Sequence, residues 1–324
     1  MIREKRYKLI VHTVEMDILA GRYRIGDKIP SINFWRIKTG LSRSSVVLAM
    51  EELKERGLIE AEQSVGYFVK STRVENVYNF LLVFNEFNTF KQDLYNSIVN
   101  SLGRGAMVNV VFHNYKRNIF DMLLEKEAGK HSVYIVMSGK FDNVEKQLRK
   151  LGGKVILLDD CTDSLRGRFP SVTQDFYQDT YDALVSGLSR LRRYDELVFI
   201  QNSPKEPPER YDGVLQFCRE YGFECGFLKT MKDLPLRRGV VYLTPEDREI
   251  VNIELAARKQ NLTAGEDFGI IAFNEQMMNE IICGGLTTIS TDFVAEGRTA
   301  VEMVREREIQ TLRNPSRLIL RNTL

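Results

Sequence analysis

At 324 residues the chain is long enough for two or three domains. With 43% hydrophobic and 28% charged residues it has the make-up of a globular protein with a real core, and a formal net charge of +2 excludes a strongly basic chromatin-type protein. The charge is uneven: residues 1–73 hold 14 Lys+Arg against 9 Asp+Glu, net +5, and the remainder is net −3, which points to different partners for the two parts.

The first segment reads as helices followed by a hairpin. Residues Arg3–Ala20 place Tyr7, Ile10, Val11, Val14 and Ile18 on one helical face, and Gly21 stands where a helix commonly ends. Ser31 is an N-cap candidate for a second helix, in which Phe34, Trp35 and Ile37 supply bulk and which Gly40 breaks. Ser42 caps a third from Arg43, with Val46, Ala49, Met50 and Leu53 at helical spacing and Gly57 at its end. Leu58–Glu62, a turn at Gln63–Val65 and Gly66–Lys70 then read as a two-stranded wing. Three helices and a wing make a winged helix-turn-helix.

Four strings in this segment carry a resemblance. They are Gly-Asp-Lys-Ile-Pro-Ser (Gly26–Ser31), Gly-Leu-Ser-Arg-Ser-Ser-Val (Gly40–Val46), Glu-Leu-Lys-Glu-Arg-Gly-Leu-Ile (Glu52–Ile59) and Gly-Tyr-Phe-Val (Gly66–Val69). In order and spacing they resemble the GntR family of bacterial transcription regulators, over a domain set at residues 1–70. The resemblance implies a head that binds double-stranded DNA with its third helix against the major groove. Arg43 then has the fork that reads guanine. Ser42, Ser44 and Ser45 are short donors for phosphates at a helix N-terminus. Ser31 and Lys38 are further backbone contacts, and Gly66 lets the wing approach the minor groove. Asn33 and Val47 stand where the family often has arginine, so an unusual operator is expected. Trp35 is expected to pack in the core.

Residues 71–76 form a short polar linker. Beyond it, apolar runs of strand length occur at Tyr78–Phe84, Val108–Phe112, Val133–Met137, Val155–Leu158, Leu197–Ile200, Glu224–Leu228, Val240–Leu243 and Gly269–Phe273. Amphipathic stretches lie between them: Tyr181, Leu184, Val185, Leu188 and Leu191; Val214, Phe217, Cys218 and Tyr221; Ile250, Ile253, Leu255 and Ala256. Strands alternating with helices imply parallel sheets covered on both faces. So many units exceed one simple doubly wound sheet, and two similar lobes over residues 77–324 fit better.

Scattered landmarks extend the reading. They are Phe84-Asn85-Glu86-Phe87-Asn88 after the first strand, Ser171–Phe176, Arg210-Tyr211-Asp212-Gly213, Glu246-Asp247, Ile270–Glu275, and Leu286–Ile289 before a helix with Gly297, Ala300 and Val301. Their order resembles the LacI-type effector domain, similar to periplasmic sugar-binding proteins. A GntR head on a LacI-like body resembles the arabinose-repressor subtype. The fold implied is an α/β two-lobed periplasmic-binding-protein-like domain behind an N-terminal winged helix-turn-helix. The function implied is a dimeric transcription regulator, most simply a repressor. Its effector is a monosaccharide (arabinose, fucose or a similar pentose or hexose) or a sugar phosphate, which closes the two lobes and changes the spacing of the heads. The expected effector-binding residues are Glu86, Phe87, Phe141, Asp175, Phe176, Arg210, Glu246, Asp247 and Asn274. Residue types agree. Asp175, Arg210, Asp247 and Asn274 are planar polar groups at strand-to-helix junctions, and Phe87, Phe141 and Phe176 offer faces for sugar C–H groups. Glu246 and Asn274 replace the family's Asn and Asp, which bears on sugar identity.

The remaining chemistry is sparse. Cys161, Cys218, Cys225 and Cys283 form no CxxC pair, and His12, His113 and His131 sit at no zinc-finger spacing. Isolated reduced core thiols, no metal and no cofactor are expected. Charges run through residues 1–20, so no signal peptide is expected, and no apolar run approaches the ~20 residues that span a bilayer. A cytoplasmic protein with no membrane partner follows. No nucleophile elbow, P-loop or GxGxxG after a strand is present. An α/β enzyme with a DNA-binding head is the rival reading, a solute-binding protein a weaker one, and activation instead of repression stays open.

Overall fold

The computed structural model describes residues 7–62, 65–72, 79–102, 106–139, 141–306 and 308–324. Residues 73–76 of the expected linker, Tyr78, most of the expected wing turn and the first six residues lie outside them. The chain divides into two compact units. Unit 1 comprises Met1–Phe87, Tyr95–Thr173 and Glu296–Leu312; unit 2 comprises Asn88–Leu94, Gln174–Ala295 and Arg313–Leu324.

Unit 1 begins with a head of α1 (Lys8–Leu19), α2 (Ile32–Thr39), α3 (Arg43–Glu55), β1 (Ile59–Glu62) and β2 (Gly66–Val69). Ile10, Val11, Val14 and Ile18 of α1 close on Val46, Ala49, Met50 and Leu53 of α3 and on Trp35 of α2. The caps are those the sequence announces: Ser31 Oγ accepts from Phe34 N–H at 3.2 Å and Ser42 Oγ from Ser45 N–H at 3.3 Å. Of the three residues expected to supply bulk in α2, two are not buried: Phe34 is 46% and Ile37 80% exposed, because the eight-residue helix turns Trp35 fully inward and Ile32 partly. Phe34 instead meets the Trp35 ring edge-on, 5.6 Å between centroids.

The body follows in chain order as β3 (Asn79–Phe84), α4 (Phe90–Leu102), β4 (Met107–Phe112), α5 (Arg117–Glu127), β5 (Val133–Val136), α6 (Glu145–Arg149), β6 (Lys154–Asp159) and β7 (Ser171–Thr173). Then come α7 (Phe176–Ser186), α8 (Leu188–Leu191), β8 (Glu196–Ile200), α9 (Glu209–Tyr221), β9 (Glu224–Leu228), β10 (Val240–Thr244), α10 (Asp247–Gln260) and β11 (Gly269–Phe273). The chain ends with β12 (Thr287–Thr291), α11 (Phe293–Arg305), β13 (Thr311–Arg313) and β14 (Ser316–Ile319). Two six-stranded sheets result, β13-β7-β6-β5-β3-β4 and β14-β12-β11-β10-β8-β9. β3 to β7 run parallel in the first, β8 to β12 in the second, and β14 adds antiparallel to β12. Phe80–Phe84, Val133–Val136 and Val240–Thr244 are buried at every residue, as central parallel strands covered on both faces require.

Three features differ from the sequence reading. β12 is fully buried yet reads Thr-Thr-Ile-Ser-Thr, too polar for an apolar-run criterion. Its polar groups are satisfied by residues distant in sequence, Thr287 N–H donating to Thr323 Oγ1 at 2.8 Å. The stretch from Tyr181 to Leu191 is two helices, divided at Gly187. Leu255, expected on the buried face of α10, is 51% exposed.

Candidate nucleic-acid interface and effector site

On the head, a groove of about 670 Å³ is lined by Lys28, Ser31, Asn33, Arg36, Arg43, Val65, Gly66 and Tyr67 among others. It gathers three of the expected DNA-binding residues, Ser31, Arg43 and Gly66. Arg43 is the exposed first residue of α3. Ser42 Oγ lies 3.0 Å from Ser44 Oγ and 2.9 Å from Ser45 Oγ, so three hydroxyls crowd the N-terminus of α3, where helix polarity favours an anion. Gly66 has φ +144°, and a Cβ there would stand 3.0 Å from Lys28 Cε. Glycine therefore lets the wing pass Lys28, whose ammonium lies 5.8 Å over the Phe68 ring. Sequence reasoning missed Lys28; its place inside the Gly26–Ser31 string was the available signal. Lys38 does not line the groove. Its ammonium sits 5.6 Å over Phe34 and 5.3 Å over Trp35.

Unit 2 holds a constellation centred on Arg210. Arg210, in the first turn of α9, is buried. Its Nη1 donates to Glu206 Oε2 at 2.6 Å, and its guanidinium lies 5.3 Å from the Phe176 ring centroid and 4.7 Å from that of Phe273. Gly213 makes this possible. A Cβ there would come 2.5 Å from Tyr177 O, so the glycine lets α9 lie close on α7 and brings Arg210 to Phe176. Phe273 ends β11, and Asn274 follows with φ +65°, a left-handed conformation asparagine tolerates. Asn274 is held by its backbone, donating N–H to Ile289 O at 2.9 Å and accepting from Asn279 Nδ2 at 3.2 Å. Phe176 and Arg210 are thus assembled, with Phe273 and Glu206 as members the sequence reading did not include, and Asn274 is the residue next to Phe273 in the chain.

The other expected residues of unit 2 have structural tasks. Asp175 is exposed and caps α7, its Oδ1 accepting from Gln178 N–H at 3.0 Å. Asp179, one turn on, accepts from Asp175 N–H and from Arg313 Nε, both at 3.0 Å. Burial holds its carboxyl above the usual range despite Arg313. Glu246 Oε1 accepts from Asn202 N–H at 2.5 Å and Ser203 N–H at 2.9 Å, which closes the loop after β8. Asp247 is exposed and within 3.4 Å of Gln276 Nε2.

Unit 1 holds the other three expected effector residues. Glu86 is half-buried, its N–H donating to Asn85 Oδ1 at 2.9 Å. Phe87 is 82% exposed and meets Phe112 edge-on at 5.8 Å. Phe141 packs 5.3 Å from both His113 and Phe120, with the Arg117 guanidinium 5.9 Å above it. Asn85 Nδ2 reaches Asp159 Oδ2 at 3.4 Å, a polar pair at the carboxyl ends of β3 and β6 that the sequence reading missed. Among the described residues no helix is long and apolar enough to cross a membrane, and no group of three His, Cys, Asp or Glu is placed to hold a metal ion.

Residues 6–69 match the family model of the bacterial regulatory proteins of the gntR family. A search of curated proteins returned no match. Solved structures of similar fold include a periplasmic binding protein/LacI transcriptional regulator from Alkaliphilus metalliredigens QYMF complexed with D-xylulofuranose, at 16% identity and TM-score 0.62. Another is a LacI family transcriptional regulator from Enterococcus faecalis V583 with bound ribose, at 17% and 0.61; each likeness covers 76% of this chain and 98% of the other. A third, a LacI family transcriptional regulator from Arthrobacter sp. FB24 in complex with lactose, stands at 17% and 0.60, covering 76% and 99%. The class is therefore defined: a transcription regulator with a gntR-type winged helix-turn-helix head. Its body has the two-sheet α/β fold of LacI-type, periplasmic-binding-protein-like regulators.

Proposed function

We propose that the chain is a repressor that grips a pseudo-palindromic operator as a homodimer and leaves it when a monosaccharide or sugar phosphate binds to the body. The observation that carries the effector reading is the Arg210 constellation. A buried guanidinium, paired with Glu206 and within 5.3 and 4.7 Å of the Phe176 and Phe273 ring centroids, presents planar donors beside aromatic faces. Sugars need that combination: bidentate hydrogen bonds for hydroxyls and an apolar face for C–H groups. The likeness in fold to regulators solved with sugars supports the same class of ligand. Within unit 2, Asp175 and Asp247 are further candidates for contact, and Glu246 positions the loop after β8.

On DNA, Arg43 reads a guanine, the Ser42, Ser44 and Ser45 hydroxyls and Ser31 meet phosphates, and Lys28 and Arg36 add charge along the groove. One winged helix spans too few base pairs for unique recognition, which calls for two heads. Exposed Val251 and Leu255 on α10, with Met278 and Ile281 after β11, give unit 2 apolar surface for self-association.

The test is a thermal-shift screen of monosaccharides and sugar phosphates, followed by calorimetry with and without an operator selected from genomic fragments. The expected result is a sugar that binds ~5–150-fold more weakly in the presence of operator, the reciprocal of its effect on DNA binding. Equal sugar affinity in both titrations overturns the coupled mechanism. Tighter binding with operator reverses the sign and makes the sugar a partner in DNA binding.

A further inference from the structure

The loop after β11 carries Gln276, a half-buried residue three positions beyond Phe273, whose ring lies 4.7 Å from the Arg210 guanidinium. Three residues span at most about 11 Å of chain, so Gln276 stays close to the constellation. The loop is fixed before Gln276 is reached. Glu275 N–H donates to Ser290 Oγ at 2.8 Å, and Arg321 grips both oxygens of the Glu275 carboxylate, at 2.7 and 3.1 Å. Gln276 itself bridges two other elements of unit 2. Thr89 Oγ1 lies 2.8 Å from its Oε1, and Asp247, the first residue of α10, holds Oδ1 3.4 Å from its Nε2. A carboxylate only accepts, so the Gln276 NH2 faces Asp247 and the Gln276 oxygen accepts from the Thr89 hydroxyl. The amide has two N–H groups and the carboxylate two oxygens, and a single long contact joins them. A donor and an acceptor therefore stand side by side with capacity to spare. The neighbouring Glu246 is committed elsewhere, its Oε1 accepting from Asn202 and Ser203 N–H.

We infer that Gln276 is a specificity-determining residue of the effector site, where its amide and the Asp247 carboxylate together take two adjacent hydroxyls of an unphosphorylated sugar. This rests on the sugar reading and narrows its ligand class. One hydroxyl accepts from the Gln276 N–H, and its neighbour donates to Asp247. A hydroxyl can do either, which suits a vicinal pair to a donor beside an acceptor.

A phosphate fits this pair poorly. Its oxygens would face the like charge of Asp247. The N-terminus of α10, which could otherwise attract an anion, carries Glu246 at its cap and Asp247 in its first turn. Arg210, the buried cation of the constellation, is already paired with Glu206. The anchoring of the loop by Arg321 and Ser290 means that Gln276 loses little backbone freedom when a sugar arrives.

The test is calorimetry on the full chain with D-ribose, D-xylose, L-arabinose, D-glucose, D-galactose and L-fucose, each paired with its monophosphate. At least one free sugar should bind, and its monophosphate at least about tenfold more weakly. Deoxy analogues of that sugar that lack one or the other of two adjacent hydroxyls should each bind about 2–10-fold more weakly, the range of one hydrogen bond. Gln276→Ala should lose a similar factor on the parent sugar and nothing further on the analogue without the hydroxyl it holds. Asp247→Asn should narrow the gap between sugar and monophosphate. The paired and deoxy probes on wild type do not depend on either variant folding. A monophosphate that binds more tightly than its parent sugar overturns the assignment and leaves the sugar reading standing. So does Gln276→Ala binding the sugar as wild type does while Arg210→Ala does not. If no probe of either kind binds, the sugar reading itself fails and the role of Gln276 fails with it.

Discussion

The head groove and the Arg210 constellation use arginine in opposite ways. Arg43 and Arg36 are exposed side chains, with Arg36 tethered by a 3.3 Å hydrogen bond to Asn33 Oδ1 on its own helix. Arg210 is buried, ion-paired and stacked on two rings before any ligand arrives. On the proposed function, the difference follows from the ligand. A polyanion brings its own charge to an exposed cation and releases counterions as it binds, so the cation needs reach more than confinement. A neutral sugar offers only hydroxyls, so its partner must already be oriented, and the protein bears the cost of burying a charge by supplying Glu206. Substitutions in the head groove should therefore change binding and spare stability, and substitutions at Arg210 should change both.

The largest expected effect marks the limit of that rule for the head. Trp35 is the one α2 side chain turned fully inward, and Trp35→Ala should lower head stability by about 3–5 kcal/mol. Denaturation followed by far-UV circular dichroism should show an early transition for the head and an unmoved one for the body; a single shifted transition would mean that the two unfold together. Next comes Arg210→Ala. It removes the Arg210 ion pair from Glu206, but the Glu206 side chain is 25% exposed and water recovers part of the loss. A stability loss of about 2–3 kcal/mol is expected, below the range for a fully buried pair, together with weaker sugar binding. An unchanged denaturation midpoint would break the contrast between the two arginines.

How much of this was legible depended on whether a residue's task is local. The Ser31 and Ser42 caps, the α1 and α3 faces and the wing were readable because each depends on neighbours within a few positions. The body strands were readable where they were apolar and missed where they were not: β12 is buried threonine and serine, satisfied by Thr323 from the far end of the chain. Phe34 and Ile37 misled because composition gives bulk but not direction on a two-turn helix. The Arg210 motif could be singled out, but not its confinement. Phe176 and Phe273 come from two separate elements that no spacing rule links to Arg210, whereas Glu206, four residues before it, stood at a readable spacing.

Arg43→Ala tests the binding side of the comparison. Loss of a bidentate base contact should weaken specific operator binding by about 1–3 kcal/mol and leave binding to random DNA nearly unchanged. Because Arg43 is exposed, head stability should move by less than about 0.5 kcal/mol. An equal loss on specific and random DNA would make Arg43 a phosphate contact. Lys154 gives a pH test within unit 1. Its Nζ donates to Val304 O at 2.9 Å at the end of α11, and burial lowers its pKa to about 8, from an ordinary value of 10.5. Between those values the unfolded chain binds more protons, so this group adds stability as the pH rises from about 8 to 10.5. Wild type should gain on Lys154→Met over that window, read as the difference between two denaturation series. Parallel curves would place the lysine in water.

The smallest effect is expected at Lys38, and it tests whether exposure alone makes a cation useful to DNA. Lys38 lies outside the groove, its ammonium over Phe34 and Trp35. An exposed cation–π contact contributes about 0.5–1 kcal/mol, so Lys38→Ala should cost the head no more than that. The side chain stays hydrated and rests its stem along the rings, which leaves the charge free to approach a phosphate. Binding to specific and random DNA should then weaken together, and the slope of log affinity against log salt should flatten by about one unit. Lys38→Arg, which keeps both charge and stacking, should restore the slope. A slope that stays at the wild-type value in Lys38→Ala would confine this lysine to packing over Trp35. The DNA contact would then belong to the groove-lining Lys28, Arg36 and Arg43 alone.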